Sequence, residues 1–386
     1  MTPSSIELQL TAERLEAEVE RGTFCTGAQA YVSLSGGEVL SAAYGQDGLR
    51  RPMTVETVST VYCALKPMIA VLVLLAEQEG DLDREMTLSE LLDGSDNPAH
   101  EAITLRDLLT HQAGLHTIRS PVSAVTPPAL RREIAMRAVP PDGWDRRRDA
   151  AYSEWLGFYL VGQVLERVNG IPLRESLRER VLRPLEIDDE VSLGLEPEEI
   201  SRIGINVDLR DGRTLPLLSE RAPWFVGAAD PSLNAYATMR GLGRFYRWVL
   251  ETLSGRGRSA IALEPERLRD ACRPHRPVVH DQMLETDADW GLGFMSGLGR
   301  LGFGTYPSPR AVGHSGQVGT SLGFCDPEHD LGVAVLYNGV IDQRLGVNVR
   351  RPEVVSAIYQ DLGIEPATTG LSELEAAAIR RTISSV

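Results

Sequence analysis

The stretch Val58–Ala76, V-S-T-V-Y-C-A-L-K-P-M-I-A-V-L-V-L-L-A, pairs a candidate nucleophile with a candidate base. Its apolar run from Met68 to Ala76 predicts a buried helix that begins near Cys63 and ends at Gly80. Cys63 and Lys66 are three residues apart, so their side chains share one face of that helix. A thiol at a helix start also lies among unpaired backbone N–H groups, which favour the thiolate. The stretch therefore predicts reactive chemistry at the start of a core helix.

Lys66 is the only lysine in the chain, because the remaining 38 of the 39 Lys and Arg residues are arginines. Arginine stays protonated at any accessible pH, whereas burial lowers the pKa of a lysine until its amine can accept a proton. A chance survivor that pairs with a carboxylate is the plainer explanation for a lone lysine. One helical turn from a cysteine, we interpret it as a residue that does chemistry.

The composition is that of an ordinary globular protein, with 386 residues, 42% of them hydrophobic and 24% charged. A net charge of −15 repels nucleic acid and anionic membranes, so we expect neither as a partner. The longest apolar run is too short to span a bilayer, and the N-terminal segment predicts an amphipathic helix instead of an export signal. We therefore expect a cytoplasmic protein. The cysteines lack metal-type spacing, so we expect no metal and no cofactor.

Strand patterns occur towards both ends of the chain, with helical patterns between them. Ala28–Ser35 and Glu38–Tyr44 alternate polar and apolar residues around Gly36-Gly37, which predicts a β-hairpin. Short, glycine-punctuated strand patterns return between Trp290 and Asn338 and predict an antiparallel meander. The helical patterns cover Ile103–His111, Ala129–Ala138, Trp155–Val168, part of Ala229–Leu253 and Pro352–Leu362.

These patterns predict an α/β (α+β) fold with two parts. Residues 1–81 and 225–386 would form one discontinuous α/β domain with a central antiparallel sheet. Residues 82–224 would form a mostly helical domain. The helix within Ala229–Leu253 would pack back onto the first domain.

Ordered motifs follow the first stretch along the chain. C-A-L-K-P (Cys63–Pro67), A-Y-S-E (Ala151–Glu154) and G-H-S-G (Gly313–Gly316) resemble S-x-x-K, Y-x-N and K-T-G or H-x-G. In that order they resemble the serine β-lactamase and penicillin-binding-protein superfamily, in the branch of class C β-lactamases, D,D-peptidases, family VIII esterases and lovastatin-type acyltransferases. The resemblance runs from about Phe24 to Leu362. It implies a β-lactamase/transpeptidase-like fold, with an antiparallel sheet flanked by helices plus an all-helical domain, and an active site in the cleft between the two domains.

The resemblance also implies a role for each matching residue. Cys63 would attack the acyl carbon, while Lys66 and Tyr152 would share the proton transfer. His314 would line the opposite wall, and backbone N–H groups of Cys63 and Gln317 would form the oxyanion hole. The substrate would also bind along Ser315 and Gly316. We expect His111, outside these motifs, to be a structural hydrogen-bonding residue.

Two positions depart from the family pattern. Cys63 replaces the usual serine, so the intermediate would be a thioester, which is activated toward amines and thiols. Glu154 replaces asparagine, and a carboxylate only accepts hydrogen bonds unless it is protonated. Close to Lys66 it would raise the lysine pKa and favour a resting thiolate–ammonium pair. Glu154 could instead act as the general base or bind a cationic substrate group.

We therefore expect an acyl-transfer enzyme that acts on a small-molecule ester, thioester or amide through an acyl-Cys63 intermediate. It would be an acyltransferase or hydrolase of secondary metabolism, with a small-molecule donor and acceptor. A carrier-protein-bound or coenzyme A thioester is one candidate donor. Two alternatives stay open: a catalytically silent binding protein, and a Ser-to-Cys variant of a serine esterase or β-lactamase-like hydrolase. No motif indicates the substrate, the choice between hydrolysis and transfer, or the oligomeric state.

Overall fold

The structure is a computed structural model that describes residues 7–118, 127–256 and 260–367. Within this part of the chain, no helix is long and apolar enough to cross a membrane. The helices are α1 (Gln9–Arg21), α2 (Lys66–Glu79), α3 (Leu88–Leu91), α4 (Leu105–Leu109), α5 (Pro128–Arg137), α6 (Leu156–Asn169), α7 (Leu173–Leu177), α8 (Pro223–Val226), α9 (Met239–Leu253), α10 (Pro265–Cys272), α11 (Gln343–Leu345) and α12 (Arg351–Asp361).

The described residues also form β-strands of different lengths. The longer ones build the main sheet, and the two- and three-residue ones form small sheets beside it. The strands are β1 (Gly27–Leu34), β2 (Gly37–Gly45), β3 (Val58–Thr60), β4 (Val191–Leu193), β5 (Ile203–Gly204), β6 (Val207–Asp208), β7 (Leu215–Pro216), β8 (Ala235–Ala237), β9 (Arg276–Asp281), β10 (Thr286–Trp290), β11 (Val312–Ser315), β12 (Ser321–Asp326), β13 (Leu331–Tyr337) and β14 (Gly339–Val340).

The main sheet is antiparallel, with strand order β11-β12-β13-β1-β2. Ser35 and Gly36 join β1 to β2 with φ angles of 52° and 78°, as a tight hairpin turn requires. The predicted hairpin and meander are therefore confirmed. β11 lies at the edge of the sheet, where a single bridge from Met295 to Gly313 is its contact on the open side. The end of β11 that carries His314 and Ser315 lies beyond this bridge.

Strands β12 and β13 are buried on both faces along their whole length, which suits their mostly apolar sequences. On one face α9 packs across β1, β12 and β13. Tyr31 belongs to this layer, while its neighbour Val32 packs with the opposite layer, which includes residues of α1 and α12. The alternation follows from the two-residue period of a strand. The predicted fold class, a sheet flanked by helices, is confirmed.

Helix α2 runs through the core, and every residue from Lys66 to Ala76 is buried. It contacts α6, α7, α10 and β11, so it links the sheet to the helical segments. It ends at Gly80, whose φ of 81° terminates the helix in the left-handed conformation. The predicted buried helix is confirmed, although it begins at Lys66. Cys63 belongs to the 3₁₀ turn Tyr62–Leu65 that leads into it.

One sequence prediction differs from the structure, and the structure adds detail to a second. The segment Ala235–Ala237, expected to be helical, is strand β8, and α9 begins only after Thr238 caps it through Gly241 N at 2.9 Å. Strand β8 pairs with β3 and β4 in a sheet of order β4-β8-β3-β5. The segment 82–224 is therefore helical in its first part but carries short strands from Val191 onward. Strands of two or three residues are too short for a periodic signal.

Candidate active site

Three segments bring the predicted site residues together. The 3₁₀ turn before α2 carries Cys63, and the first residue of α2 is Lys66. The loop before α6 carries Tyr152 and Glu154, and the edge strand β11 carries His314. Contacts between β11 and the turn of Cys63, and between β11 and α2, close the arrangement.

The amine of Lys66 is fully buried and has three oxygen neighbours. Its Nζ atom donates to Ser153 O at 3.2 Å and to Glu154 O at 3.1 Å, and lies 2.9 Å from Tyr152 Oη. The two carbonyls can only accept, so they fix two N–H groups. The third position can hold an ammonium N–H that donates to Tyr152, or an amine lone pair that accepts from it. Lys66 can therefore lose and regain one proton along this contact without moving.

Burial lowers the pKa of Lys66, against the opposing effects of Cys63 and of the Glu154 and Asp230 carboxylates. The Glu154 charge raises the pKa of Lys66, as expected from the sequence, but burial outweighs it and the net shift is downward. Glu154 contacts the Lys66 amine through its backbone carbonyl, and the charge of its carboxylate raises the lysine pKa. A buried amine with a lowered pKa is more often unprotonated near neutral pH than an ordinary lysine, so it is more readily available as a general base.

The sulfur of Cys63 lies in a nearly closed environment, with 9% of the residue exposed. Sγ donates to Ser232 O at 3.4 Å, and Glu154 O lies 3.8 Å away. Carbonyl oxygens accept hydrogen bonds, so this arrangement suits a thiol, which has a proton to donate. Sγ is also within hydrogen-bond reach of the Lys66 and Tyr152 side chains, so its proton can be transferred toward them without a change of position.

Three aromatic side chains pack around the ring of Tyr152. Its ring centroid lies 4.5 Å from that of His111, 5.6 Å from Trp290 and 6.0 Å from His314. Burial raises the pKa of Tyr152, and the nearby charges of Cys63 and Glu154 raise it further. The side chain is therefore a neutral phenol at rest, able to pass a proton between sulfur and amine.

His314 is fully buried and neutral. Its Nδ1 atom donates to Ser315 O at 2.9 Å, and Nε2 has no hydrogen-bond partner among the described residues. Burial and the charge of Lys66 lower the pKa of His314 well below its usual value. His111 resembles it: Ser153 N donates to its Nδ1 at 3.2 Å, and burial lowers its pKa as well. His111 thus has the structural role expected from the sequence, and neither ring adds a positive charge beside Lys66.

Gly316 allows the end of β11 to approach the nucleophile turn. A Cβ atom on Gly316 would lie 2.5 Å from Val61 O and 2.2 Å from Ser321 Oγ, which donates to the same carbonyl at 2.8 Å. The close approach brings Gln317 next to the turn of Cys63. Neither amide of this predicted oxyanion hole, Cys63 N or Gln317 N, donates to a backbone carbonyl in the described chain.

Two buried aspartates support the site by accepting hydrogen bonds from its backbone. No sequence motif indicated them. Asp281 accepts from Tyr152 N at 2.9 Å and pairs with Arg276 at 3.1 Å. Asp230 accepts from Ser232 N at 2.9 Å and so orients the carbonyl that faces Cys63. Both bind backbone N–H groups, one of them 129 positions away, so sequence spacing carries no sign of them. The one available signal for Asp281 is its place between a strand and a turn.

A cavity of about 600 Å³ opens beside the edge of β11 and is large enough for a small molecule. Its wall includes Ser315, Met295, the tip of the β9–β10 hairpin at Met283 and Leu284, and Arg351 on α12. Ser315 is thus the predicted substrate-binding residue that faces this space. The described residues include no group of His, Cys, Asp or Glu that could hold a metal ion.

Comparisons with known proteins agree with this geometry. The family profile described as Beta-lactamase matches residues 13–351. The chain is 24% identical to Esterase/beta-lactamase LipL of Mycobacterium tuberculosis over 75% of its length and 71% of that protein. It is 26% identical to Esterase EstB of Burkholderia gladioli, over 83% and 86% of the two chains. A penicillin-binding protein homologue from Caulobacter crescentus, 24% identical, has the same fold with a TM-score of 0.74 over 92% and 97% of the two chains. The resemblance seen in the motifs is confirmed, and the chain belongs to the beta-lactamase family.

Proposed function

We propose that the protein is an acyl-transfer enzyme that hydrolyses small-molecule esters or thioesters through an acyl-Cys63 intermediate. The observation that carries the proposal is the Lys66 amine, buried with a lowered pKa and in contact with Tyr152 Oη at 2.9 Å. A silent site has no use for a titratable amine held in this way. The esterase names of LipL and EstB favour hydrolysis of an ester over other reactions of the family.

Acylation begins when the substrate carbonyl lies against the backbone N–H groups of Cys63 and Gln317. The thiol proton passes to Tyr152 while Tyr152 gives its own proton to the Lys66 amine, and the sulfur attacks the carbonyl carbon. The C–S bond forms as the carbonyl electron pair moves to oxygen, where the two N–H groups stabilise it. Collapse breaks the bond to the leaving group, which takes the proton from Lys66 through Tyr152. A thioester on Cys63 remains.

Deacylation reverses these roles. As it attacks the thioester carbon, water or an acceptor alcohol or amine gives one proton to Tyr152, which passes its own proton to the Lys66 amine. The tetrahedral intermediate then expels the sulfur, which regains a proton. A thioester is more reactive toward amines and thiols than an oxygen ester, so transfer to such acceptors belongs to the same proposal as a second outcome.

The cavity beside β11 favours a substrate with an anionic group. Arg351 is 3% exposed, donates to Leu301 O and packs over the Phe303 ring at 4.8 Å. Burial and the charge of Arg350 lower the pKa of Arg351 to about 9, no described carboxylate acts on it, and it lines the cavity, where an anionic group would stabilise its charge. Arg300 and Arg344 line the same space, against the acidic residues Glu285 and Asp342, so with Arg351 the lining carries one more positive than negative side chain. We infer that carboxylate-bearing esters are better substrates than neutral ones.

The test is turnover of a panel of p-nitrophenyl esters, acyl thioesters and anilides, with and without a carboxylate in the acyl chain. Wild type should hydrolyse some of them, and Cys63→Ala should hydrolyse none. Cys63→Ser shows whether the thiol is the better nucleophile in this site. If wild type and Cys63→Ala are equally inactive on the whole panel, yet the panel compounds bind, the protein is a binding protein that lacks catalysis and the proposal is wrong.

A further inference from the structure

The residue before the nucleophile has an unusual backbone conformation. Tyr62 has a φ of 50°, in the left-handed region that bulky side chains rarely occupy. The peptide bond between Tyr62 and Cys63 contains the N–H that the proposed mechanism uses as an oxyanion donor. The backbone angles of Tyr62 therefore decide where that N–H points. Such a conformation persists only where its surroundings hold it.

A buried carboxylate holds Tyr62 from the side-chain end. The hydroxyl of Tyr62 donates to Glu220, which is 2% exposed and lies in the 3₁₀ turn Leu218–Arg221. Glu220 also accepts from Asn206 N at 3.0 Å and from Asn206 Nδ2 at 2.9 Å. Asn206 Nδ2 lies 3.4 Å from Thr60 O, two residues before Tyr62. The nucleophile turn is thus tied to this cluster both through its backbone and through a side chain.

The free-energy cost of burying the Glu220 carboxyl group indicates that this residue has a role beyond packing. A carboxyl group in a fully buried position is unfavourable, and burial raises the pKa of Glu220 to about 7. The groups facing it are Tyr62, Asn206 and the hydroxyl of Thr60, with Tyr236 nearby, and no cation is among them. An apolar residue at this position would avoid the cost, but it would leave the Tyr62 hydroxyl without its acceptor.

We propose that Glu220 is a positioning residue that holds Tyr62 in the left-handed conformation and thereby aims the Cys63 N–H at the developing oxyanion. The inference rests on the proposed function, because only an acyl-transfer reaction needs this donor. It adds a requirement that lies outside the S-x-x-K, Y-x-N and H-x-G positions. Glu220 acts through Tyr62 and touches neither the substrate nor the reacting sulfur.

The first test compares two reactions of the same thiol in Tyr62→Phe and Glu220→Gln. Acylation of Cys63 by a p-nitrophenyl ester develops an oxyanion, whereas alkylation by iodoacetamide does not. Loss of one oxyanion donor lowers rates by about 10²–10³-fold, so a misdirected donor should lower acylation by at least ~10-fold. Alkylation should stay within about twofold of wild type. Tyr31→Phe is the matched control, because it removes the hydroxyl of a fully buried tyrosine on β1, outside the Glu220 cluster and the nucleophile turn.

Equal losses in both reactions, or no loss in either, would overturn the proposal. A second readout needs no catalysis: protein labelled with ¹⁵N-cysteine has only four cysteine amides, from Cys25, Cys63, Cys272 and Cys325. The Cys63 amide resonance should move in Tyr62→Phe and Glu220→Gln, while the other three stay in place. If wild type forms no acyl-enzyme, the proposed function fails by itself, and an unmoved Cys63 resonance rejects the positioning role separately.

Discussion

At the scale of single residues, the site depends on a proton shared between Lys66 and Tyr152. Two backbone carbonyls fix the amine, and burial moves the two pKa values in opposite directions, down for Lys66 and up for Tyr152. Both groups therefore favour their neutral forms, which allows either of them to hold the thiol proton for a moment. The neutral His314 keeps a further charge away from this pair.

Replacing Tyr152 by phenylalanine tests the proton path. The ring contacts with His111 and Trp290 remain, but the hydroxyl that bridges Cys63 and Lys66 is lost. Because a positioned acid or base contributes about 10²–10⁴-fold, kcat should fall by that factor while the melting temperature changes little. Steady-state kinetics and thermal unfolding measure the two effects. Tyr159→Phe, on α6, should leave kcat unchanged, and an active Tyr152→Phe would contradict the path.

The pH dependence of acylation reports the Lys66 base if the thiol is removed as a titrating group. In Cys63→Ser, the acylating form has the neutral amine, so the rate should rise with pH and level off once Lys66 has lost its proton. The lowered pKa of Lys66 puts the midpoint of this rise below the ordinary lysine value of 10.5. Stopped-flow acylation across the pH range measures it. A rate that falls as pH rises would exclude the amine as the base.

At the scale of elements, the position of the edge strand β11 controls the oxyanion site. Gly316→Ala would put a Cβ atom 2.5 Å from Val61 O, so β11 must move away from the nucleophile turn. Displacements near 1 Å can cost about 10²-fold in rate, and we expect at least that loss of kcat/KM. Gly37→Ala is the control in the same sheet, since its Cβ would meet Leu34 O at an ordinary 3.6 Å. Equal activities of the two variants would contradict this role for β11.

The β9–β10 hairpin supports Tyr152 through a buried ion pair. Arg276 and Asp281 are both fully buried, so Asp281→Asn leaves an unpaired buried guanidinium while keeping an acceptor for Tyr152 N. Breaking such a pair costs about 3–5 kcal/mol of unfolding free energy, which urea denaturation can measure. Asp287→Asn lies on the same hairpin, where its contact with His280 is exposed, and should change stability by less than about 0.5 kcal/mol. Similar losses in the two variants would show that burial of the pair is unimportant.

At the scale of the whole molecule, the elements that could be predicted from the sequence are those with a clear periodicity or a motif. The buried helix α2, the β1–β2 hairpin and the terminal meander have long apolar or alternating patterns. The short strands β4 to β8 have none, because two or three residues cannot establish a period. Within the site, the motif residues come together as expected. The support from Asp230, Asp281 and Glu220 could not be predicted, since each also binds a group distant in sequence. These groups are Trp155 Nε1 for Asp230, Tyr152 N for Asp281 and the Tyr62 hydroxyl for Glu220.

The net effect of burial on Lys66 was equally hidden from the sequence. Glu154 is the last residue of the A-Y-S-E motif, and its negative charge suggested a raised pKa for Lys66. The sequence does not show that Glu154 meets the amine through its carbonyl, or that the amine lies in a core with no exposure. The burial of a site, a property of the whole fold, outweighs one neighbouring charge here.

The most direct test of the account is the intact mass of the protein after brief mixing with a p-nitrophenyl ester or an acyl thioester. The reaction is quenched at low pH before the mass is measured. Wild type should gain the mass of one acyl group, peptide mapping should place it on Cys63, and hydroxylamine should remove it as a thioester. Cys63→Ala should gain nothing. An adduct of equal amount on Cys63→Ala, or no adduct on wild type with any ester that it turns over, would contradict the central claim.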